Sequence, residues 1–372
     1  MIPILTNLRY MSGWTVGYEF PEEFPPLSKK RNFLYLRVIC TVWNTMRCSA
    51  ITGTQFSLHD LAGHPECNAR LETACSGLDP GCPVHPPAAC SIGDVERVHS
   101  RMYIDMLRER CETTATVNYL DPDTYITRYS FDVATLAAGS AIAAVDRALS
   151  GEHCFALVRP PGHHAEHSRA MGFCLLNNAA VAAAYALKNV DRIAIVDWDY
   201  HHGNGTQAMF YTSNRVLYCS VHQHDAFPYT GSVQETGRGD GAGFTINAPL
   251  HAGSAIADYT AVFSEVFVPA IARFGPDAII VSAGQDILFD DPLGMMAIRP
   301  EDLEILARML TETGTPLALV LEGGYGPSHG EAVAGIFRGL EPGRKNGTEI
   351  KEEPRRSTAG TVALLKKIHG LD

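Results

Sequence analysis

The chain has 372 residues, 46% of them hydrophobic, enough to bury the core of one large α/β domain. Its formal net charge of -11 argues against a protein that binds nucleic acid by neutralising phosphates. Ten cysteines with no CxxC pair do not form a small-domain disulfide framework, so reduced core thiols are expected.

Residues 1–45 stand apart, because Pro21-Glu-Glu-Phe-Pro-Pro26 and Lys29-Lys-Arg31 mark irregular, breaker-rich sequence. They read as an N-terminal extension with Phe33–Cys40 as a candidate extra strand; the alternative is sequence upstream of a natural start at Met46. No basic start leads into a continuous apolar run, and Phe33–Trp43 is too short to span a bilayer and carries Arg37. A cytoplasmic protein without a membrane segment is expected, with residues 46–372 as its main domain.

Ser49–Leu58 reads as a modest strand, followed by the polar cluster His59-Asp60 and Gly63-His-Pro-Glu66 leading to Arg70. Residues 76–92 read as a Pro-, Gly- and Cys-rich surface loop. Helices are expected over about Val95–Arg110 and Asp132–Leu149, the second closed by Gly151.

Apolar runs at Phe155–Val158, Ile193–Val196, Val216–Val221, Ala278–Val281 and Leu317–Leu321 then alternate with helix-like stretches at Asn177–Lys188, about Ser254–Arg273 and Glu301–Thr313. This alternation predicts an α/β domain, doubly wound, with a mostly parallel eight-stranded sheet and helices on both faces. The polar residues after the runs are His163 and His164, Asp197 to His201, His222, Asp286 and Tyr325. In open parallel sheets ligands bind at the carboxyl ends of strands, so these segments are expected at one rim.

In Ile193-Ala-Ile-Val-Asp-Trp-Asp-Tyr-His201, extended backbone sets Asp197, Asp199 and His201 on one side and Trp198 and Tyr200 on the other. Two carboxylates are costly to bury together without a cation, so the segment reads as part of a metal site. Asp286 can complete it, leaving an open position for water; the donors suit Zn²⁺, and Fe²⁺ or Co²⁺ also fit. Asp290 and Asp291 read as loop or capping residues. His163 and His164 follow Arg159-Pro-Pro-Gly162 and suit acid–base work, with Asp197 and Asn204 as candidate acceptors. Tyr325, after Glu322-Gly-Gly324, can donate to a developing oxyanion. Gly172-Phe173 can form an apolar channel wall.

These segments together resemble the histone deacetylase superfamily of the arginase–deacetylase fold, most nearly its bacterial and archaeal class II-like members. The matching motifs are Arg159-Pro-Pro-Gly-His-His-Ala165, Met171-Gly-Phe-Cys174, Val196-Asp-Trp-Asp-Tyr-His-His-Gly-Asn-Gly-Thr-Gln207, Ser282-Ala-Gly-Gln-Asp286, Glu322-Gly-Gly-Tyr325 and the His59-to-Arg70 cluster. They run in the family's order from about residue 47 to 340.

The resemblance implies zinc on Asp199, His201 and Asp286, His164 as general base, His163 as its electrostatic partner and Tyr325 as the carbonyl-polarising group. It implies that Asp197 partners His163 and that Asn204 faces His164. Asp197 is also implied in a structural potassium site with the Ser220 side chain and backbone oxygens of Asp199, His201 and Val221. A second potassium site is implied at backbone oxygens around Phe210, Ser213 and Val216. Phe173 and Phe227 line the implied acyl-lysine tunnel with Gly172 and Gly324, and Arg70 lies in the channel below. The implied reaction is zinc-promoted amide hydrolysis, in which His164 takes a proton from the attacking water and returns it to the leaving amine.

Two departures stand out. Arg101, in Val98-His-Ser-Arg101, occupies the position at which an acidic rim residue is expected, which weakens the case for peptide substrates. Gln285, beside a zinc ligand, stands where Phe or Ala is common. The expected substrate is an acylated lysine or a small acylated amine. An acetylpolyamine amidohydrolase is the alternative enzyme, favoured by Phe227-Pro-Tyr229 and the acidic composition, and a catalytically silent acyl-lysine-binding scaffold is the alternative of another class. A homo-oligomer is left open.

Overall fold

The alternating apolar runs become the strands of one parallel sheet. The computed structural model describes residues 47–341 and 352–371, so the expected extension over 1–45 and its candidate strand lie outside the described residues. In chain order the strands are β1 (Arg47–Ile51), β2 (Val84–His85), β3 (Asn118–Tyr119), β4 (Tyr125–Ile126), β5 (Glu152–Ala156), β6 (Ile193–Asp197), β7 (Val216–Gln223), β8 (Thr245–Leu250), β9 (Ala278–Ala283) and β10 (Leu317–Leu321). Eight of them form a sheet in the order β2-β1-β5-β10-β9-β6-β7-β8, parallel at every pairing, while β3 and β4 form a separate antiparallel ribbon.

Burial explains why these runs read so clearly. Every residue of β6, β9 and β10 is buried, as a strand covered on both faces requires, so their sequences are continuous rather than alternating. The Ala-rich helix Ser130–Leu149 packs on β5, β9 and β10 and against the helix Asn178–Ala186. Small side chains let it approach the sheet closely. A second helix group flanks the sheet: Asp302–Thr311 packs on His329–Leu340, and Arg356–His369 lies against β8.

The structure departs from the sequence reading where edges and prolines intervene. The strand expected over Ser49–Leu58 ends at Ile51 and gives way to a short 3-10 turn, Thr54–Leu58. Two edge strands escaped the reading. β2 is two residues inside the Pro-rich loop, and β8 contains Pro249, which a sheet tolerates at an edge because no ladder donor is needed there. The helix expected over Ser254–Arg273 is interrupted by a π-turn at Phe263–Phe267, just before Pro269, whose ring nitrogen cannot donate to the preceding turn. All nine cysteines among the described residues are free thiols, four of them buried.

Candidate metal centre and active site

Sheet order builds the site. β5, β10, β9 and β6 are four consecutive positions, so the segments leaving their carboxyl ends emerge side by side: 159–164, 322–325, 284–286 and 197–201. β6 and β9 are in register at Asp197 and Ser282, which brings Asp286 beside the turn after β6. The convergence expected from the pattern of strands is what the structure shows for these four segments.

Trp198 is fully buried on one side of the extended turn, and Asp199 is fully buried on the other. One donor atom each from Asp199, His201 and Asp286 lies within 4.8 Å of the others, and no other such group of three is found among the described residues. His201 Nδ1 is 2.9 Å from Asp286 Oδ2 and 3.3 Å from Asp199 Oδ1. Backbone N–H groups orient the carboxylates: Gly323 donates to Asp199 Oδ2 at 2.7 Å and Tyr200 to Asp286 Oδ1 at 2.9 Å. A Cβ at Gly323 would sit 2.3 Å from Asp286 Oδ2 and 2.7 Å from Asp199 Oδ2, so only glycine lets the backbone close over the cluster.

The electrostatics of this cluster suit a cation. Burial pushes the Asp286 carboxyl up to about 7, with the charge of Asp199 adding to it. Burial also opposes charge on Asp199 and His201, but it is outweighed in both. His163 and His201 hold the Asp199 carboxyl below the usual range, while hydrogen bonds to Asp199 and Asp286 raise His201 to about 9. Protons on His201 and Asp286 thus offset the buried negative charge, a task that a divalent cation on the same nitrogen and oxygen donors performs in their place. The donor set fits a metal ion.

The histidine pair is held from behind. His163 Nδ1 donates to Asp197 Oδ2 at 3.1 Å, an oxygen that also accepts from the Tyr218 hydroxyl at 3.0 Å. His164 Nδ1 lies 2.8 Å from Asn204 Oδ1. Burial disfavours charge on both rings. For His163 the carboxylates of Asp199 and Asp197 outweigh it and raise the imidazole, whereas His163 and His201 reinforce it for His164 and push that imidazole down. Two adjacent histidines therefore differ in charge.

Glu322 belongs to the Glu322-Gly-Gly-Tyr325 motif, and its role emerges only from the fold. Its buried carboxylate accepts from the N–H groups of Gly162 and His163 at 2.6 and 3.0 Å and from the Ser282 hydroxyl at 3.0 Å, fixing the histidine loop to β9 and β10. Asp291 does act as a cap: its carboxylate accepts from the backbone N–H groups of Tyr325 and Gly326 at 2.6 and 3.0 Å. Burial keeps the Tyr325 phenol protonated by raising its pKa, although nearby Arg70 opposes the shift.

A cavity of about 260 Å³ opens onto the cluster, lined by His163, His164, Asp199, His201, Asp286 and Tyr325 at depth and by Phe173, Phe227, Gly172 and Leu293 along its walls. Phe173 holds a left-handed backbone, φ 68, which is uncommon without a glycine; its N–H donates to Thr124 Oγ1 at 3.0 Å. Gly324 and Arg70 do not line this cavity; Gly323 does. Arg70 instead lies beneath the Tyr325 ring, 4.9 Å from its centre, and donates to the carbonyl oxygens of Gly324, at 2.8 Å, and Glu322.

Two further expectations need correction, and the second departure, Gln285, finds its place. Arg101 is not at the mouth of the cavity; it is exposed at the start of the helix Arg101–Thr113, paired with Glu96 and Asp105 at 3.0 and 2.8 Å. Besides Asp199 and Asp286, the acidic lining residue is Asp123, from the turn between β3 and β4, its carboxyl raised to about 6 by burial and by Asp121. Gln285 is buried behind the wall and does not line the cavity. His222 lies inside β7, bonded to Ser220 Oγ and the Gly231 carbonyl, away from the metal ligands.

The histone deacetylase domain family matches residues 64–340, and the chain belongs to that family. It is 38% identical over 324 residues to a probable deacetylase of Methanothermobacter thermautotrophicus, covering 85% of this chain and 95% of that one. It is 38% identical over 284 residues to the histone deacetylase-like amidohydrolase of Pseudomonas aeruginosa, covering 72% and 74%. The crystal structure of the HDA15 HD domain superposes with a TM-score of 0.81 at 32% identity, over 87% of this chain and 94% of that one. Among the described residues, no helix is long and apolar enough to cross a membrane.

Proposed function

We propose that the chain is a zinc-dependent amidohydrolase that removes acetyl or another short acyl group from an amine, either an acyl-lysine of a protein or a small acylated amine. The observation that carries this reading is the meeting of a three-donor metal cluster, a histidine held at Nδ1 and a half-buried phenol around one aromatic-walled cavity. Residues 46–372 form the catalytic domain, and the protein acts in the cytoplasm.

Asp199, His201 and Asp286 hold the zinc, which when bound supplies Lewis-acid polarisation to the amide and to water. The aromatic rings of Phe173 and Phe227 take the aliphatic stem of the substrate and exclude solvent from the reacting carbonyl. Tyr325 keeps its proton and donates a hydrogen bond from the phenol to the carbonyl oxygen as negative charge develops there. His164, neutral and with Nδ1 engaged by Asn204, takes a proton from the attacking water at Nε2 and returns it to the leaving amine. His163, kept charged by its carboxylates, adds positive potential beside the tetrahedral intermediate.

Asp197 and Ser220 are direct neighbours across β6 and β7, and we assign the first potassium to them with backbone oxygens of Asp199, His201 and Val221. The second is assigned to backbone oxygens around Phe210, Ser213 and Val216.

Asp123 reopens the choice of substrate. A carboxylate at the cavity can accept from the backbone N–H groups of a peptide, so the doubt raised by Arg101 falls away. It also attracts an ammonium group, which favours an acylated polyamine as the second reading. Zinc content and a panel of acyl-lysine peptides and acetylpolyamines, assayed with and without chelator, test the proposal. Chelator-sensitive hydrolysis of either class supports it; bound zinc with no hydrolysis of any member overturns it in favour of a silent acyl-lysine-binding scaffold.

A further inference from the structure

Asn204 is an ambiguous partner for a general base. A carboxamide presents an accepting oxygen on one side and a donating nitrogen on the other, and half a turn exchanges them. With Oδ1 toward His164, the ring carries its proton on Nδ1 and leaves Nε2 free to take one. Reversed, the amide nitrogen would donate to Nδ1 and place the ring proton on the atom that has to act as base. Something must decide between the two.

The amide nitrogen of Asn204 donates to Glu166 Oε1 at 2.9 Å, and it lies 3.5 Å from Met171 Sδ. A carboxylate only accepts, so it can face the NH₂ side of the amide and not the oxygen side. Glu166 is itself fixed by a local antiparallel bridge to Arg169, with its N–H donating to the Arg169 carbonyl at 2.9 Å. Its own carbonyl lies 3.0 Å from His99 Nδ1, and His99 Nε2 accepts from the Asn177 N–H at 2.9 Å. Glu166 does not line the active cavity. It borders a different one, of about 490 Å³, together with Arg97, His167 and Arg169.

We propose that Glu166 is a positioning residue that sets the orientation of Asn204 and thereby the tautomer of His164. The proposal rests on the reading of His164 as general base. Glu166 gives Asn204 the fixed acceptor face that an aspartate at that position has by itself.

The test uses the full chain labelled with ¹⁵N-histidine, whose ring nitrogen shifts report which nitrogen bears the proton. His164 is expected as the Nδ1–H tautomer in the wild-type protein and as a mixture in Glu166→Gln, because a second carboxamide no longer dictates direction. kcat/KM should fall about 10- to 100-fold, the usual cost of losing a group that orients a site residue. Asn204→Asp alone sets a second carboxylate against Glu166 and should lose activity as well. Combining Asn204→Asp with Glu166→Gln restores an acceptor toward His164 and a donor behind it, so the double variant should regain about tenfold over Glu166→Gln. A double variant no better than Glu166→Gln, or a wild-type His164 protonated on Nε2, overturns the proposal. Where Glu166→Gln fails to fold, the wild-type ring state decides. Absence of any wild-type hydrolysis defeats the amidohydrolase reading instead, and the ring-proton measurement still tests Glu166.

Discussion

Tyr325 and Gly323 sit two residues apart and do opposite things for the site. In the proposed reaction Tyr325 offers a donor whose only use is in the transition state, so Tyr325→Phe should lower turnover by about 100- to 1,000-fold while zinc content, read by atomic absorption, stays at the wild-type level. Gly323 offers the absence of a side chain. In Gly323→Ala the new Cβ would fall 2.3 Å from Asp286 Oδ2, so the variant should purify with little zinc; full occupancy would show that the loop can retreat. At this scale sequence was informative where one segment supplied several ligands, as with Asp199 and His201, and misleading at the cavity mouth. Arg101 was placed there by its position in a motif, whereas the acidic group comes from Asp123 in a turn with no regular pattern. Where a loop side chain ends up depends on what the loop packs on, which a linear motif does not encode.

A buried ion pair clamps the elements that carry the chemistry. Arg159, at the start of the histidine loop, makes a bidentate pair with Glu66, its Nε and Nη2 lying 2.8 and 2.6 Å from the two carboxylate oxygens. Arg159 also donates to the Phe56 carbonyl at 2.9 Å, and Glu66 faces His59 at 3.4 Å, so the cluster from His59 to Arg70 is a strut behind the site. Removing one partner leaves a charge uncompensated in the core. Glu66→Ala is therefore expected to cost about 3–5 kcal/mol in urea unfolding, and a loss under 1 kcal/mol would show that water reaches Arg159. Strands covered on both faces were legible because burial forces continuous apolar runs, as in Leu317–Leu321. β8 was not, since Pro249 breaks the pattern without breaking an edge strand. The helix His329–Leu340 was missed for a related reason. Gly335 and Gly339 weaken its helical signal, yet a Cβ at Gly339 would come within 2.5 Å of the Glu304 carbonyl, so tight packing on Asp302–Thr311 requires them.

For the whole molecule, stability and metal binding are linked through the same protons. His201 is raised from 6.5 to about 9 and Asp286 from 3.8 to about 7, so the folded, chelated protein holds protons that the unfolded chain has released over that range. A raised pKa gives stability that is complete below the unfolded value and lost as pH climbs through the folded one. Below pH 6.5 the buried histidines with lowered pKa, such as His99 and His153 at about 4, act in the opposite direction, so the melting temperature of chelated protein should fall between about pH 6.5 and 9, where the His201 share is lost. Under the proposed function zinc displaces those protons, so its affinity should rise with pH across the same window, and calorimetry in buffers of different ionisation heat should detect proton release on loading. A melting temperature of chelated protein that does not move over that range would remove this account.

Sequence by itself determined the parallel α/β architecture and the residues able to bind a metal, because buried parallel strands need unbroken apolar runs and adjacent buried carboxylates need a cation. Only the tertiary structure decided which neighbours complete them. Sheet order set Asp286 beside Asp199 and Glu322 beneath the histidine loop, and loop packing set Asp123 at the cavity and Glu166 behind Asn204. Each of these depends on contact between segments far apart in the chain, and the free energy of such a contact belongs to the pair and is not written in either segment alone.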